Sequence, residues 1–416
     1  MIRPQLYAPR VLTVQNAALV FTWLYIAFVL RNIALHPSAF QWDFQVYYYS
    51  AKAFALGQNP YAIQTLERLY KPALPQLTYV YPPLTLLFYK LWAALPLLVA
   101  YKLWLALKLL SVAALLLVWH RWFLPLKYNL PTVAYFAFAF GASLDIDIQS
   151  GNISVFEQLV LWSGLACLLT GRRWIFCVCI VALTQFKVTP LVFLLLLLLI
   201  DERPHWKPFF VSLAASVALL TANVVFYPAL FAAFLHPPLV RSDERGAINP
   251  ATLALLRDVR DALAHHGLRL PGLVTTTVYL ALCVGIVFMT VRAWQWYRKQ
   301  HPVPDPRLRI FVFCLVYAIV LPRFKGYSYI LLLIPTLYLV RRQPPALFML
   351  WAAALFVVPG ISLFPLVDYV GWIITSYLPL LLAYTLWFCY LTELRRSPSP
   401  NGVAEPQEPP LIARLI

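Results

Sequence analysis

Carboxylates are scarce in this chain, whose 416 residues include 16 Asp and Glu against 33 Lys and Arg. Cysteine is scarce too, and all six cysteines fall inside apolar segments. Such positions argue against a disulfide framework or a zinc site, and we predict no metal site and no cofactor. The basic residues cluster at the ends of apolar segments, so the net charge of +17 indicates membrane topology rather than binding to nucleic acid.

Apolar residues make up the bulk of the sequence. The hydrophobic share is 62% and the mean hydropathy is +0.73, with repeated runs long enough to cross a bilayer. The composition therefore predicts an all-α polytopic membrane protein. The first apolar stretch, from Val11 to about Leu35, lacks a small-residue cleavage site, so we interpret it as a retained first span.

The ends of the apolar segments predict a topology. With the N-terminus in the cytoplasm, the later clusters of Lys and Arg all fall on the cytoplasmic side. The segment from Tyr79 to Pro96 is interpreted as interfacial or re-entrant, because counting it as a span would invert every later loop. The predicted spans, about twelve in number, are 11–35, 99–119, 130–147, 152–170, 174–186, 188–200, 208–226, 272–294, 309–321, 327–340, 346–358 and 370–391.

This topology places most of the polar sequence on one side of the membrane. We predict a single transmembrane domain over residues 1–396, with outer loops at 36–98 and 227–271. The remaining segment, 397–416, is rich in Ser and Pro and is predicted to be a disordered cytoplasmic tail. The polar clusters would then face the periplasmic or extracytoplasmic side of the cytoplasmic (inner) membrane.

Asp43 lies just after the first long apolar segment. Apolar and aromatic residues after it recur at helical spacing up to Gly57, where the helix is expected to end. Asp43 would therefore lie at a helix N-terminus just outside the membrane. A carboxylate in that position is a candidate general base, and the alternative is an N-cap, which accounts for most aspartates of this kind. The two roles are compatible.

A second polar cluster covers residues 143–152, between two predicted spans. Gln149 and Asn152 carry amides that can both donate to and accept from sugar hydroxyls. Asp145 and Asp147 add two carboxylates, which alone are a weak basis for a metal site. The alternative is a polar turn in which Asn152 or Ser150 caps the following helix, and for Asp145 alone we prefer that alternative.

Cations on the predicted outer side form a third group. Lys187 lies between two short apolar segments. Arg323 and Lys325 lie in one turn, and Arg241 and Arg245 lie in the long outer loop. Cations that converge at a membrane surface suit a lipid phosphate, which they neutralise and stabilise as a leaving group. Contact with ordinary anionic lipid head groups is the alternative, and for Arg241 it is equally favoured.

Aromatic residues accompany these clusters. Tyr47, Tyr48 and Tyr81 could stack on the faces of sugars. They could equally belong to the aromatic belt of the membrane interface, which is the commoner use of such residues. We therefore take them as secondary candidates for sugar or acceptor binding.

Taken in order, these residues resemble the polytopic glycosyltransferases of family 87, polyprenol-phosphate-mannose-dependent mannosyltransferases of the GT-C class. The resemblance runs from about Val11 to Arg342, and it depends on the order and spacing of motifs that are weak singly. The motifs are Asp43-Phe44 with Tyr47 or Tyr48, Gly57-Gln58-Asn59-Pro60-Tyr61, Tyr81-Pro82-Pro83, Gln149-Ser150-Gly151-Asn152, Lys187-Val188-Thr189-Pro190, Asn249-Pro250 with Arg257, and Leu321-Pro322-Arg323 before Tyr327.

The resemblance implies a GT-C fold with interfacial helices in the first outer loop and Asp43 as the catalytic residue. It also implies a polyprenyl-phosphate-linked sugar, mannose, as the donor. Tyr327 stands where the family pattern leads us to expect a His, which shifts weight for phosphate binding to Lys187, Arg323 and Lys325. The full set of candidates for the donor phosphate is Lys187, Arg323, Lys325, Tyr327 and Arg245. The candidates for the sugar or the acceptor are Gln149, Asn152, Asp147, Tyr47, Tyr48, Tyr81 and Asn249.

The predicted function is the inverting transfer of a hexose from a polyprenyl-phosphate donor to a glycolipid or glycan acceptor on the outer face. One carboxylate suffices, because the phosphate leaving group needs positive charge rather than a general acid. A transporter or flippase of lipid-linked sugars is the alternative, and a non-catalytic scaffold is a third. Polar clusters on one face, rather than near mid-membrane, favour an enzyme. The predicted partners are the donor, the acceptor and membrane lipids.

Overall fold

The computed structural model describes residues 10–70, 78–126, 129–236, 244–301, 305–342 and 368–395. Every regular element in these ranges is helical, so the prediction of an all-α protein is confirmed for the described part of the chain. The predicted span at 346–358, Arg241 and the predicted tail at 397–416 lie outside the described residues.

The helices follow one another through mostly short connections. A π-helical turn, Trp119–Phe123, extends α5, and 3₁₀ helices at Thr189–Leu195, Gly246–Ile248 and Gly326–Leu332 precede α9, α12 and α15. The α-helices are α1 (Arg10–Leu35), α2 (Trp42–Ala55), α3 (Ile63–Leu69), α4 (Thr85–Ala93), α5 (Leu97–Val118), α6 (Leu130–Ser150), α7 (Ser154–Leu169), α8 (Arg173–Leu183), α9 (Leu196–Leu199), α10 (Trp206–Phe226), α11 (Pro228–Leu235), α12 (Thr252–His265), α13 (Gly272–Gln300), α14 (Pro306–Val320), α15 (Leu333–Val340) and α16 (Asp368–Arg395).

Four helices of the described residues are long and apolar enough to cross a membrane, namely α5, α10, α13 and α16. Helices α6 and α7 pass the same test together but are bent by 114° at their junction, which makes up to five spans. The predicted count of about twelve is not confirmed. Other apolar segments form shorter helices, such as the 11 residues of α8, whereas a straight span needs about 20 residues.

Three helices, α2, α3 and α4, lie in the predicted first outer loop. Helix α4 has nine residues and is therefore about 14 Å long, less than half the thickness of a bilayer core. The segment from Tyr79 to Pro96 thus does not form a spanning helix. Helix α2 ends at Ala55, and Gly57 follows in the left-handed conformation, as the sequence predicts.

Helix α2 begins at Trp42, so the predicted position of Asp43 at a helix N-terminus is confirmed. The alternative that Asp43 is the N-cap is wrong. Gln41 occupies the cap position with a φ of 54°, and its side chain makes no capping hydrogen bond. Asp43 lies in the first turn instead, where a negative charge complements the positive end of the helix dipole.

The junction between α6 and α7 turns at Gly151, whose φ of 70° favours glycine. A Cβ atom on Gly151 would lie 2.9 Å from the Cβ of Phe44 and 3.0 Å from the Cα of Gln41. Glycine therefore lets the start of α2 lie directly against the junction, where the Gln41 N–H donates to the Gln149 carbonyl at 2.6 Å. Because α6 continues through Ser150, most of the polar cluster at 143–152 lies on this helix and not in a polar turn.

Replacing Gly151 by alanine is expected to lower the thermal unfolding midpoint of the detergent-solubilised protein more than the same replacement at Gly57. The two φ angles are 70° and 69°, and alanine in that region costs about 1–2 kcal/mol at either position. An added Cβ meets nothing within 4 Å at Gly57, so the additional loss at Gly151 reports the contact with α2. Equal midpoints for the two variants would contradict this close approach.

Helix α5 also holds the junction, through two buried side chains. The Trp104 indole N–H donates to the Gly151 carbonyl at 2.9 Å. The Lys108 ammonium pairs with the Asp147 carboxylate at 2.6 Å and donates to the carbonyl of Asn152 at 2.5 Å. Both charged side chains are fully buried, and a buried charge is tolerated when it is paired in this way.

An aromatic cluster packs α2 against α4 and α5. Phe44 stacks on Trp104 with ring centroids 4.7 Å apart, and Trp92 meets Trp104 edge-on at 5.1 Å. Tyr47 lies 4.8 Å from Tyr89 by the same measure. Burying a large aromatic side chain contributes about 1.5–3 kcal/mol, so these contacts fix α2 and with it the position of Asp43.

Candidate active site

Asp43 and Asn152 meet where α2 lies against the junction of α6 and α7. The Asn152 Nδ2 donates to the Asp43 Oδ2 at 2.7 Å and to the Tyr47 hydroxyl at 3.1 Å. The amide presents its nitrogen to Asp43 because its oxygen accepts from the backbone N–H and the hydroxyl of Ser154, at 3.1 and 2.9 Å. The carboxylate is thereby oriented by an amide that is itself fixed.

Tyr47 and Tyr81 lie beside Asp43. Their hydroxyls share a hydrogen bond at 3.2 Å, and the Tyr61 hydroxyl donates to the Tyr81 carbonyl at 2.7 Å. Burial raises the pKa of Tyr47 and of Tyr81 well above the ordinary value, so both phenols keep their protons at neutral pH. In this part of the site the group suited to accept a proton is therefore Asp43.

Lys187 lies in the connection between α8 and the 3₁₀ helix that precedes α9. Pro190, at the start of that 3₁₀ helix, favours a break in the chain direction here. The Lys187 ammonium lies 2.5 Å from the Glu157 carboxylate and 5.7 Å from the centroid of the Tyr327 ring. A carboxylate and an aromatic face thus hold the cation in place.

Arg323 and Lys325 lie in the turn that follows α14. Glu244 bridges them, 2.5 Å from the guanidinium and 3.1 Å from the ammonium. Burial alone would raise the pKa of Glu244, but Lys325 and Arg323 outweigh burial and hold that pKa below its ordinary value. Asn249 connects the two segments, because its amide donates to the Glu244 carbonyl at 3.0 Å and accepts from the Phe324 N–H at 2.8 Å.

Asp43, the cations and their carboxylate partners line a single cavity of about 340 Å³. Apolar residues such as Val46 and Leu161 complete its walls, and its size lies in the range of small-ligand sites. The described residues include no group of three or more His, Cys, Asp or Glu side chains placed to hold a metal ion. The predicted site residues that line the cavity are Asp43, Tyr47, Tyr81, Asn152, Lys187, Arg323, Lys325 and Tyr327.

Some predicted site residues lie outside the cavity lining. The Gln149 amide donates to the Asp145 carboxylate at 2.7 Å, and the Tyr48 hydroxyl donates to the Leu95 carbonyl at 2.8 Å. Asp147 is buried in its ion pair with Lys108. In this structure these three side chains support the backbone and the helix packing around the site.

Arg245 and Asn249 also lie away from the cavity lining. The Arg245 guanidinium lies 3.2 Å from Asp258 and 2.5 Å from Asp261, both on α12. The Tyr377 hydroxyl donates to Asp258 at 2.5 Å, which joins this ion cluster to α16. Arg245 thus ties its loop to two helices, while Asn249 supports the turn that carries Arg323 and Lys325.

Three charged residues that line or support the site were not predicted from the sequence. They are Glu157 and Glu244, which line the cavity, and Lys108, which pairs with Asp147. Glu157 is the only charged residue of α7, and Lys108 lies in the apolar run of α5. The rule that an ionisable group inside a predicted span is a functional candidate would have selected both. Glu244 gave no such signal, because it lies in a charged loop and its partners are 79 and 81 residues away in sequence.

A sequence model of glycosyltransferase family 87 matches residues 79–322, more than half of the chain. The chain belongs to glycosyltransferase family 87. The matched part of this family 87 protein contains Asn152, Glu157 and Lys187, whereas Asp43 precedes it. The family match is narrower than the resemblance found from the motifs, which extends from Val11 to Arg342.

Among solved structures, the chain is similar to ArnT from Cupriavidus metallidurans in the apo state. The TM-score is 0.38 and the sequence identity 14%, and the similarity covers 91% of this chain and 77% of that one. No curated protein sequence matches the chain significantly. The family assignment therefore depends on the match over residues 79–322.

Membership in family 87 and the apolar helices together make this protein a multi-pass membrane glycosyltransferase. The alternative of a transporter or flippase is not favoured, because the matched family is one of transferases.

Proposed function

We propose that this family 87 protein transfers a hexose, mannose by the resemblance, from a polyprenyl-phosphate donor to a hydroxyl of a glycolipid or glycan. The observation that supports the proposal is the cavity in which Asp43 lies together with Lys187 and the pair Arg323 and Lys325. Displacement of a phosphate at an anomeric carbon needs a base on one side and positive charge on the other. The cavity offers both.

The proposed reaction is a single displacement with inversion. The acceptor oxygen attacks the anomeric carbon as Asp43 takes the hydroxyl proton. The bond between that carbon and the phosphate oxygen breaks, and its electron pair leaves with polyprenyl phosphate. Asp43 then releases the proton to solvent. A β-linked mannosyl phosphate would give an α-linked product.

The leaving phosphate would be stabilised by the cations that line the same cavity as Asp43. In this structure Glu157 holds Lys187, and Glu244 holds Arg323 and Lys325. A donor phosphate would share or replace these carboxylates as the counter-ion. The effect is large in enzymes, where removal of one such donor typically lowers kcat by about 10²–10³-fold.

We propose that the cavity faces the extracytoplasmic side of the cytoplasmic membrane. The distribution of Lys and Arg along the sequence supports this orientation. The polyprenyl chain would lie in the bilayer with its phosphate at the level of the head groups, within reach of the cations. The acceptor hydroxyl would enter beside Asp43.

The proposal is tested with purified protein in proteoliposomes, supplied with radiolabelled polyprenyl-phosphate-mannose and a lipid extract as acceptor. We expect label to move to the acceptor from this donor and not from a nucleotide-linked mannose, and α-mannosidase to release it. Equal transfer from the nucleotide-linked sugar would contradict the proposed donor. Movement of intact donor across the bilayer without transfer would favour a flippase.

A further inference from the structure

Glu157 lies in the first turn of α7 and lines the cavity. Its Oε2 accepts from the Lys187 ammonium at 2.5 Å. Its Oε1 is buried and has no hydrogen-bond partner among the described residues. A buried carboxylate oxygen without a partner is unfavourable, and where its residue lines a cavity a bound ligand can satisfy it.

Thr78 gives a second, independent observation of the same kind. The residue is 2% exposed, it lines the same cavity, and its hydroxyl has no partner in the described part of the chain. A carboxylate oxygen accepts a hydrogen bond, and a hydroxyl both donates and accepts. Together they match a ligand that carries several hydroxyl groups, such as a hexose.

We propose that Glu157 determines the specificity for the donor sugar. Its Oε1 accepts a hydrogen bond from a ring hydroxyl of the hexose, while its Oε2 keeps Lys187 directed at the donor phosphate. This inference rests on the proposed function. The sugar ring is joined to the phosphate through one oxygen, so its hydroxyls lie within a few ångströms of a cation that binds that phosphate. The Thr78 hydroxyl supplies a further contact to the same ring.

The placement predicts a particular kind of selectivity. A site that hydrogen-bonds a substrate hydroxyl strongly rejects an analogue that lacks it, because the buried protein group is then left unpaired. A donor without the hydroxyl that faces Glu157 should therefore be a poor ligand. Donors that are altered at other ring positions should bind with affinities closer to that of the natural donor.

The test compares the binding of polyprenyl phosphate with that of polyprenyl-phosphate-mannose, in the unchanged protein and in Glu157→Ala and Thr78→Val variants. Since both ligands carry the phosphate, any effect through Lys187 changes both Kd values. We compare the ratio of the Kd for polyprenyl-phosphate-mannose to the Kd for polyprenyl phosphate. In Glu157→Ala this ratio should rise by about 10- to 100-fold, which corresponds to the loss of a hydrogen bond to a charged group. Thr78→Val should shift it in the same direction by less.

An unchanged ratio in Glu157→Ala would overturn the inference and leave Glu157 as a counter-ion of Lys187. If the unchanged protein binds neither ligand, the proposed function itself fails, which is a different result. A series of donors that each lack one ring hydroxyl gives a second measurement. The unchanged protein should discriminate strongly against one member, and Glu157→Gln, which keeps the shape of the side chain, should discriminate less. Equal discrimination by both proteins would overturn the inference.

Discussion

Replacing Asp43 by asparagine is expected to lower kcat for sugar transfer by about 10²–10⁴-fold, the usual contribution of a general base. Asparagine has nearly the same shape, and its side-chain oxygen can still accept from the Asn152 amide that now bonds Asp43 at 2.7 Å. It cannot take the acceptor proton at neutral pH. The loss should therefore appear in kcat, with the KM for the donor changed little, in a steady-state transfer assay on purified protein.

Glu67→Gln is the matched control for this variant. Glu67 is an exposed carboxylate on α3, in the same outer segment, and it does not line the cavity. The control should transfer sugar at the unchanged rate. Equal rates for Asp43→Asn and Glu67→Gln would remove Asp43 from the proposed mechanism.

Lys187→Gln is expected to lower kcat/KM for transfer by about 10²–10³-fold, because it removes a positive charge proposed to stabilise the leaving phosphate. Its ammonium lines the cavity and lies 2.5 Å from Glu157. Weaker binding of polyprenyl phosphate should accompany the loss. Lys90→Gln, which changes an exposed lysine on α4, should leave both quantities unchanged.

A second variant separates the phosphate contact from the ion pair. Lys187→Gln alone leaves the Glu157 carboxylate without its cation, which could distort the cavity. The double variant Lys187→Gln with Glu157→Gln removes both charges. We expect it to stay inactive, because the phosphate still lacks its cation. Recovery of transfer in the double variant would show that the ion pair, and not a phosphate contact, explains the first loss.

The sequence alone predicts the helical class and the first turn of α2, and the order of motifs predicts the family. The number of spans could not be derived in the same way. Apolar length does not show where a helix breaks, and the 3₁₀ helices at Thr189–Leu195 and Gly326–Leu332 interrupt runs that look continuous. Within α6, Phe140 and Ala142 on either side of Gly141 adopt left-handed φ angles, which their residue types disfavour and the sequence does not predict.

The candidate site was predictable where a residue is unusual for its surroundings. Asp43 and Lys187 are charges beside apolar segments, and the structure places both in one cavity. Asp147 looked similar, but its partner Lys108 lies 39 residues away in sequence, and nothing local indicates that pair. Gln149 was different, because the helix continues past the predicted end of the span at 147 and places Gln149 four residues after Asp145, within contact on one face.

A single-turnover experiment tests most directly whether this cavity is a transferase site with Asp43 as its base. Purified protein is loaded with radiolabelled polyprenyl-phosphate-mannose, bound donor is measured, and acceptor lipid is then added. We predict that the unchanged protein and Asp43→Asn bind similar amounts of donor, and that only the unchanged protein passes the label to the acceptor. Transfer by Asp43→Asn at the unchanged rate would contradict the proposed role of Asp43.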